Sequence, residues 1–428
     1  MEAGDQMAGG GPAEDGRREG RSRAAILSGL RVVEVSAFVA APLGGATLAA
    51  LGADVVRIDP PGGGIDAGRW PLHGGASLYW AGLNQGKRSV NVDTRTERGQ
   101  ELVAKLVGSA GILLTNLPVR GWAAYEKLAE LRPDLIMAVI TGNPDGSTAV
   151  DYTVNAAVGF PWVTGPEEWS GPVNHVLPAW DALTGYLVAA ALLAAELHRV
   201  RTGEGQLVRI SLADVALSIA GQLGFIAEAQ LNEEARGRYG NDLFGTFATS
   251  FVSGDGRHVM VAALTNRQWT QLVEATGIGA QVRTLEEQRS ADFGQEGERF
   301  LARQQIAALV QAWVGARPFA EVARELDRFD VLWGPYRTFK EMVQDDPRCS
   351  PANPMFAEVD QPGIGRFLRP GSPISFSAFS RLRPGPSPLM GEHTAQVLGS
   401  WLGLPERELA ELAAAGVIAG SSTSPSRG

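Results

Sequence analysis

Short β-rich runs alternate with small-residue helices at the start of the folded part of the chain, and this alternation restricts the fold. Residues 30–36 ("LRVVEVS") and 53–60 ("ADVVRIDP") have the composition of strands, and residues 41–52 ("APLGGATLAALG") between them that of a helix. Two strands joined through a crossover helix run parallel in one sheet. The chain is therefore predicted to open with a βαβ unit.

The same alternation continues through the first half of the chain. Strand–helix repetition of this kind indicates an α/β, doubly wound, Rossmann-like domain. The further predicted strands are residues 87–94, 111–116 and 135–142, with a helix at 97–110 and a strand followed by a helix over 205–230.

The character of the chain changes after about residue 232. Residues 245–264 predict a hairpin that turns at "SGDG", followed by helices of a smaller α+β domain. Turn-rich sequence then returns the chain to the large domain. The predicted division is a disordered leader 1–25, a large domain 26–232, a linker and small domain 233–335, a return 336–418 and a disordered tail 419–428.

Composition excludes several classes of function. A net charge of -9 argues against binding to nucleic acid or to an anionic membrane. No apolar run reaches the roughly 20 residues that a membrane span needs, so no span is expected. The single cysteine, Cys349, allows neither an internal disulfide nor a cysteine-built metal site, which favours a reducing, cytoplasmic compartment.

The first βα turn has only part of a dinucleotide-binding motif. Asp59 ends the second strand about 20 residues after that turn, as in dinucleotide-binding units. The turn itself, "SAFVAAPLGG", lacks the glycine pattern that lets a pyrophosphate approach the backbone. The five histidines include no pair spaced by four residues, so no metal site is predicted.

Asp181 stands out because the fourteen residues that follow it carry no charge. One interpretation is a helix N-cap, since an aspartate oxygen accepts the unpaired N–H groups of a first turn. The other is an ionised nucleophile at the wall of a dry pocket. Composition and spacing leave both open.

Several blocks of the sequence together resemble the family III CoA-transferases. They include "GLRVVEVSAFVAAPLGGATLAALGADVVRID", "NQGKRSVNVD", "RTGEGQ" and "GEHT", in the family's order from about Leu27 to about residue 415. Further stretches, such as "RWPL", "VDYTVN" and "VNHVLPAWD", are similar to a branch that acts on mesaconyl-CoA. Asp181 matches the family's nucleophile, so the resemblance favours the catalytic interpretation.

The resemblance also implies other site residues, each with a structural alternative such as capping, loop hydrogen bonding or a solvated charge pair. Residues matching CoA contacts, or able to meet its phosphates, are Phe38, Val39, Val92, Arg95, Asn116, Lys87 and Arg88. Residues proposed for the substrate or for a lid are Asn174, His175, Asp151, Gly240 and Gly245.

Three departures from relatives bear on specificity. Pro60 stands where the formyl-CoA branch has an arginine, so the adenosine contact made by that arginine is not expected here. Val150 stands where the racemase branch has a histidine, and valine exchanges no proton. The lid segment reads "YGNDLFGTF" (239–247), bulkier than the glycine run of oxalate-handling relatives.

What the resemblance implies is intramolecular CoA transfer on an unsaturated C4–C5 dicarboxylyl-CoA, with the acyl-CoA thioester as substrate and no other cofactor. An intermolecular CoA-transferase is the alternative, and a non-catalytic CoA- or NAD-binding protein is the alternative from another class. The family also implies an interlocked homodimer.

Overall fold

The computed structural model describes residues 25–421. The predicted leader, up to residue 24, and the last seven residues of the predicted tail lie outside this range. The prediction that disorder begins at residue 419 is wrong, because Ala419 pairs with Asn91 at the edge of the main sheet.

The main sheet has seven strands in the order β14-β5-β2-β1-β6-β7-β8. All neighbours are parallel except β14, which runs antiparallel to β5. The strand order reverses between β1 and β6, so the predicted doubly wound α/β class is confirmed. Its strands are β1 (Arg31–Val35), β2 (Asp54–Asp59), β5 (Arg88–Val92), β6 (Ile112–Thr115), β7 (Ile136–Thr141), β8 (Gln206–Ser211) and β14 (Ile418–Ala419).

Helices cover both faces of this sheet, and its central strands are buried on both sides. On one face lie α1 (Ala40–Ala50), α5 (Asp151–Ala157), α7 (Ala179–Thr202) and α8 (Leu212–Gln222). On the other lie α3 (Glu97–Ala110), α4 (Tyr125–Leu131), α16 (Thr394–Leu402) and α17 (Glu406–Ala414). Shorter helices are α2 (Leu78–Leu83), α6 (Phe160–Val163) and α9 (Phe225–Leu231).

Helices α1 and α7 cross at two glycines. A Cβ atom on Gly44 would lie 2.5 Å from Val188 Cγ1, and one on Gly185 would lie 2.9 Å from Leu43 Cβ. Contacts this short occur only where glycine lets two backbones approach. The crossing holds the first turn of α7 close to the loop between β1 and α1.

A second, smaller sheet occupies the middle of the chain. Strands β9 (Phe247–Val252), β10 (His258–Ala263) and β11 (Leu332–Pro335) are antiparallel and form a separate core with the helices between them. These helices are α10 (Asn266–Thr276), α11 (Gly279–Arg289), α12 (Glu296–Leu301), α13 (Arg303–Gly315) and α14 (Phe319–Arg328). The remaining elements are α15 (Phe339–Asp345) and two hairpins, β3 (Leu72–His73) with β4 (Ala76–Ser77) and β12 (Phe356–Gln361) with β13 (Gly365–Pro370).

Helix α7 has two apolar faces. The inner face packs on α1 and the sheet, whereas the outer face exposes Leu183, Tyr186, Leu187 and Leu197. By length and composition α7 could cross a membrane, since an 18-residue stretch of it has a mean hydropathy of 1.3. In this fold, 39% of that stretch is buried. Helices α8 and α9 together are also long and apolar enough to cross a membrane, but the pair bends by 65° at the break between them. The uncharged stretch of α7 is still limited to residues 182–195, and its inner face belongs to the domain core, so the absence of a span stays a prediction.

Candidate active site

The candidate site lies where the strand order reverses, at the carboxyl ends of β1 and β6, the usual ligand position in such sheets. Asn116, directly after β6, accepts a hydrogen bond from Ala37 N (2.9 Å) and donates one to Ala37 O (2.7 Å). The next residue, Phe38, has φ 63°, a conformation that few non-glycine residues adopt. The Asn116 amide therefore fixes the loop that presents Phe38.

Asp181 lies in the first turn of α7, and another residue caps that helix. Pro178 is the N-cap and makes no side-chain bond. Instead Asp151 Oδ2 accepts hydrogen bonds from Trp180 N (2.7 Å) and Asp181 N (3.0 Å). Among residues 25–421 no donor bonds to the Asp181 carboxylate, so the N-cap interpretation is wrong and its oxygens are free for chemistry.

The electrostatic setting of Asp181 differs from the sequence prediction. The helix N–H groups expected to keep it ionised are bound by Asp151. Burial, together with the negative charge of Asp151, raises the pKa of Asp181 to about 6, and Arg69 partly opposes the rise. A carboxylate with this pKa is ionised at neutral pH and more basic than an ordinary aspartate.

Arg69 and Tyr79 lie close enough to Asp181 for their charges to act on one another, and neither was among the predicted site residues. The Arg69 guanidinium lies over the rings of Phe38 and Tyr79, 5.2 Å from each centroid. Burial raises the pKa of Tyr79 to about 12, so its hydroxyl stays protonated. The available sequence signal was a lone arginine ending a glycine-rich loop, in the stretch "RWPL".

The sequence model of CoA-transferase family III matches residues 27–394. The chain belongs to CoA-transferase family III. This confirms the predicted resemblance and the prediction that the protein is an enzyme.

Relatives of this family III enzyme cover nearly its whole length. It is 52% identical over 401 residues to 2-methylfumaryl-CoA isomerase of Chloroflexus aurantiacus, covering 92% of this chain and 98% of that protein. It is 30% identical over 396 residues to succinyl-CoA:mesaconate CoA-transferase of Haloarcula hispanica, covering 87% and 95%. A CAIB/BAIF family crystal structure from Brucella suis superposes with a TM-score of 0.73 at 27% identity, over 89% and 100% of the two chains.

The prediction that Lys87 meets CoA phosphates is wrong. Its ammonium is fully buried and donates to Glu34 Oε1 (2.9 Å), Pro42 O (2.8 Å) and Asn84 Oδ1 (3.0 Å). Burial lowers the pKa of Lys87 to about 8. It belongs to an ionic network under the β1–α1 loop whose centre is the buried Arg57, paired with Asp59 and Asp66.

The remaining predicted CoA residues have different surroundings. Arg88 donates to Asp54 Oδ1 (2.8 Å) and lies over the Trp401 ring, so a phosphate would compete with both partners. Arg95 is exposed and paired with Asp93 at 2.8 Å. Val92 is 1% exposed within the core, so the prediction that it contacts CoA is wrong. Phe38 and Val39 do lie in the β1–α1 loop at the site.

The two residues predicted to bind a second carboxylate make hydrogen bonds within their own region. Asn174 Oδ1 accepts from Asn155 Nδ2 (3.1 Å), and His175 Nδ1 contacts the Leu177 carbonyl. Asn155 Oδ1 in turn accepts from Trp180 Nε1 (3.2 Å). These contacts link the loop before α7 to α5, as the structural alternative predicted.

The proposed lid, residues 239–247, is packed against the small domain. Gly240 and Gly245 have φ of 59° and 84°, as turns require. Tyr239 stacks on Phe244 with centroids 5.5 Å apart, and Asp242 accepts from Arg303 Nε (3.1 Å). Closure over Asp181 stays a prediction. In the described part of the chain, no group of three or more His, Cys, Asp or Glu side chains is arranged to hold a metal ion.

Proposed function

We propose that this enzyme converts 2-methylfumaryl-CoA (mesaconyl-C1-CoA) into 3-methylfumaryl-CoA (mesaconyl-C4-CoA) by moving CoA between the two carboxyl groups of one molecule. The observation that carries the proposal is 52% identity to 2-methylfumaryl-CoA isomerase over 98% of that protein. The unpaired carboxylate of Asp181 at the switch point of the sheet supplies the nucleophile this reaction needs.

The first half of the reaction transfers CoA to the enzyme. The Asp181 carboxylate attacks the C1 thioester carbonyl, the C–S bond breaks, and a mixed anhydride and CoA thiolate form. The thiolate then attacks Cγ of Asp181 and breaks the anhydride. The products are an Asp181–CoA thioester and the free dicarboxylate, with no net proton gained or lost.

The second half repeats these steps from the other end of the acid. The dicarboxylate turns, and its C4 carboxylate attacks the Asp181 thioester, releasing thiolate and forming a second anhydride. The thiolate attacks the C4 acyl carbon and restores the Asp181 carboxylate. Both anhydrides hydrolyse readily in water, so the pocket must be closed while they exist.

Each attack develops an oxyanion that needs N–H donors. The first N–H groups of α7 are unsuitable, because Trp180 N and Asp181 N bond to Asp151 and Ala182 N bonds to Pro178 O. The start of α1 is the second helix N-terminus near the site. Its N-cap, Val39, makes no side-chain bond. In the described chain, the N–H groups of Ala40 and Ala41 have no hydrogen-bond partner outside the helix, but both residues are buried, at 1% and 0% exposed, so a substrate oxygen does not reach them in this conformation.

Incubation of the enzyme with mesaconyl-C1-CoA alone should produce the C4 thioester. With excess isotopically labelled mesaconate present, we expect little label in the product, because a trapped acid reacts at an effective concentration far above that of the free acid. Mass spectrometry of the thioesters measures both. Absence of the C4 isomer when no acid is added would refute the proposal.

An intermolecular CoA-transferase is the second candidate. The 30% identity to succinyl-CoA:mesaconate CoA-transferase favours it, since that relative's name also includes mesaconate. The labelling experiment separates the two, because label entering product at the rate of turnover requires an open site. A cytoplasmic location stays a prediction that rests on the single cysteine, Cys349.

We also propose a homodimer whose second copy covers the outer face of α7. Leu187 and Leu197 on that face are 46% and 50% exposed, and Leu217 of α8 is 49% exposed. Exposed leucines on two helices that pack together give the kind of apolar surface that is typical of interfaces. One chain has a mass of 45.3 kDa, and light scattering at micromolar concentration should therefore give twice that mass. An interlocked pair should keep that mass on dilution, and a monomer in this range would contradict the proposal.

A further inference from the structure

The Arg69 guanidinium, like the Asp181 carboxylate, has no hydrogen-bond or ion-pair partner in the described part of the chain. Its backbone is fixed, since Arg69 N donates to Asp66 O (3.2 Å) and Arg69 O accepts from the Ser77 hydroxyl. Asp66 is itself held by the buried Arg57, at 3.0 and 3.1 Å. Within residues 25–421, no carboxylate or carbonyl accepts a hydrogen bond from the Arg69 guanidinium. The loop is anchored, and all five N–H donors of the guanidinium remain available.

Two aromatic rings hold this guanidinium at the mouth of the site. Phe38 comes from the β1–α1 loop and Tyr79 from α2, and each ring centroid is 5.2 Å from the Arg69 Cζ atom. Stacking on rings orients the planar fork without using its hydrogen-bond donors. The charge is also close enough to Asp181 to lower the pKa of that carboxyl. An oriented, unpaired arginine beside the nucleophile is suited to bind a second anion in two-point fashion.

We infer that Arg69 binds the carboxylate of the dicarboxylyl substrate that is not attached to CoA, and so makes the enzyme selective for dicarboxylyl thioesters. The inference rests on the proposed function for the identity of the acid. After the acid turns, its C1 carboxylate occupies the place that its C4 carboxylate held before. Arg69 thus serves each end of the acid in turn, a role that neither Asn174 nor His175 fills with a fixed positive charge.

The test compares two thioesters that differ only at the free end. Mesaconyl-C1-CoA carries a carboxylate there, and tigloyl-CoA, the (E)-2-methylbut-2-enoyl thioester, carries a methyl group. Hydroxylamine attacks the Asp181–CoA thioester and leaves an aspartyl hydroxamate with release of CoA. Mass spectrometry of the Asp181 peptide therefore measures the first half-reaction with both substrates.

Arg69→Met should lower the labelling rate with mesaconyl-C1-CoA by about 10- to 100-fold, the range expected for a lost two-point ion pair. The rate with tigloyl-CoA should change by less than about threefold. Arg69→Lys, which keeps the charge but loses the planar fork, should give an intermediate rate. Arg324→Met removes the same charge from α14, where the side chain is 70% exposed, and should leave both rates unchanged.

Two outcomes overturn the inference. Equal loss with both thioesters would mean that Arg69 binds the CoA part, and unchanged preference for mesaconyl-C1-CoA would mean that another group binds the carboxylate. Failure of the proposed function is separate: a wild-type enzyme that labels Asp181 yet forms no C4 isomer refutes the intramolecular reaction. In that case, Arg69-dependent selectivity would still stand.

Discussion

We expect Asp181→Ala to lower the rate of CoA transfer from mesaconyl-C1-CoA by at least about 1000-fold, because the variant has no group that can form the anhydride. Asp151, whose negative charge acts on Asp181, cannot substitute, since one of its oxygens accepts hydrogen bonds from the first N–H groups of α7. Single-turnover kinetics measures the loss. Calorimetry should show CoA-ester affinity within a few-fold of wild type, because the rest of the pocket is intact.

Asp214→Ala is the matched control. Asp214 lies in the first turn of α8, as Asp181 does in α7, but it is exposed to solvent. We expect activity within about threefold of wild type and an unchanged fold by circular dichroism. If Asp181→Ala keeps more than a few per cent of activity, the nucleophile is a different residue.

Activity should also fall about tenfold for each pH unit below about 6. Burial and Asp151 raise the pKa of Asp181 to about 6, so the attacking carboxylate is lost as the pH falls through that value. The raised pKa makes stability depend on pH in the opposite direction from activity. Protonated Asp181 favours the fold, and that contribution is lost as the pH rises through 6. Asp181→Asn should therefore stabilise the protein at pH 8 and change little at pH 3.

The CoA phosphates titrate in the same range, and Asp151→Asn separates the two effects. The substitution keeps an oxygen for the N–H groups of α7 and removes the negative charge beside Asp181. The pKa of Asp181 should fall, and the acid limb of kcat/KM should move to lower pH. A limb that stays in place in this variant would assign the titration to the substrate.

The fold was largely predictable because hydrophobic runs and turn residues are local signals. Residues 97–110, predicted as a helix, form α3 with the same bounds. The helix predicted within 205–230 was only partly right, since it breaks into α8 and α9 at Gly224, which has φ 84°. A glycine inside an apolar run can continue a helix or end it, and the decision depends on packing that the local pattern does not contain.

The site was less predictable, since the partners of a charged side chain are distant in sequence. Lys87 follows a polar turn and looks exposed, yet Glu34 binds it from a strand 53 residues earlier. Asp181 was chosen correctly, although its helix is capped by Asp151 from 30 residues away. Arg69 belongs to no repeating pattern in the sequence that would indicate a function, because its role depends on two rings from separate elements.

The two apolar faces of α7 also limit how this enzyme can change during evolution. Inward, Gly185 has no room for a side chain, and outward, the leucines lie on the surface proposed to contact a second copy. No charged residue lies between Asp181 and Glu196. Neutral drift along these turns is therefore confined to exchanges among small and apolar residues. That confinement shields the reactive carboxylate from new neighbouring charges that would alter its basicity.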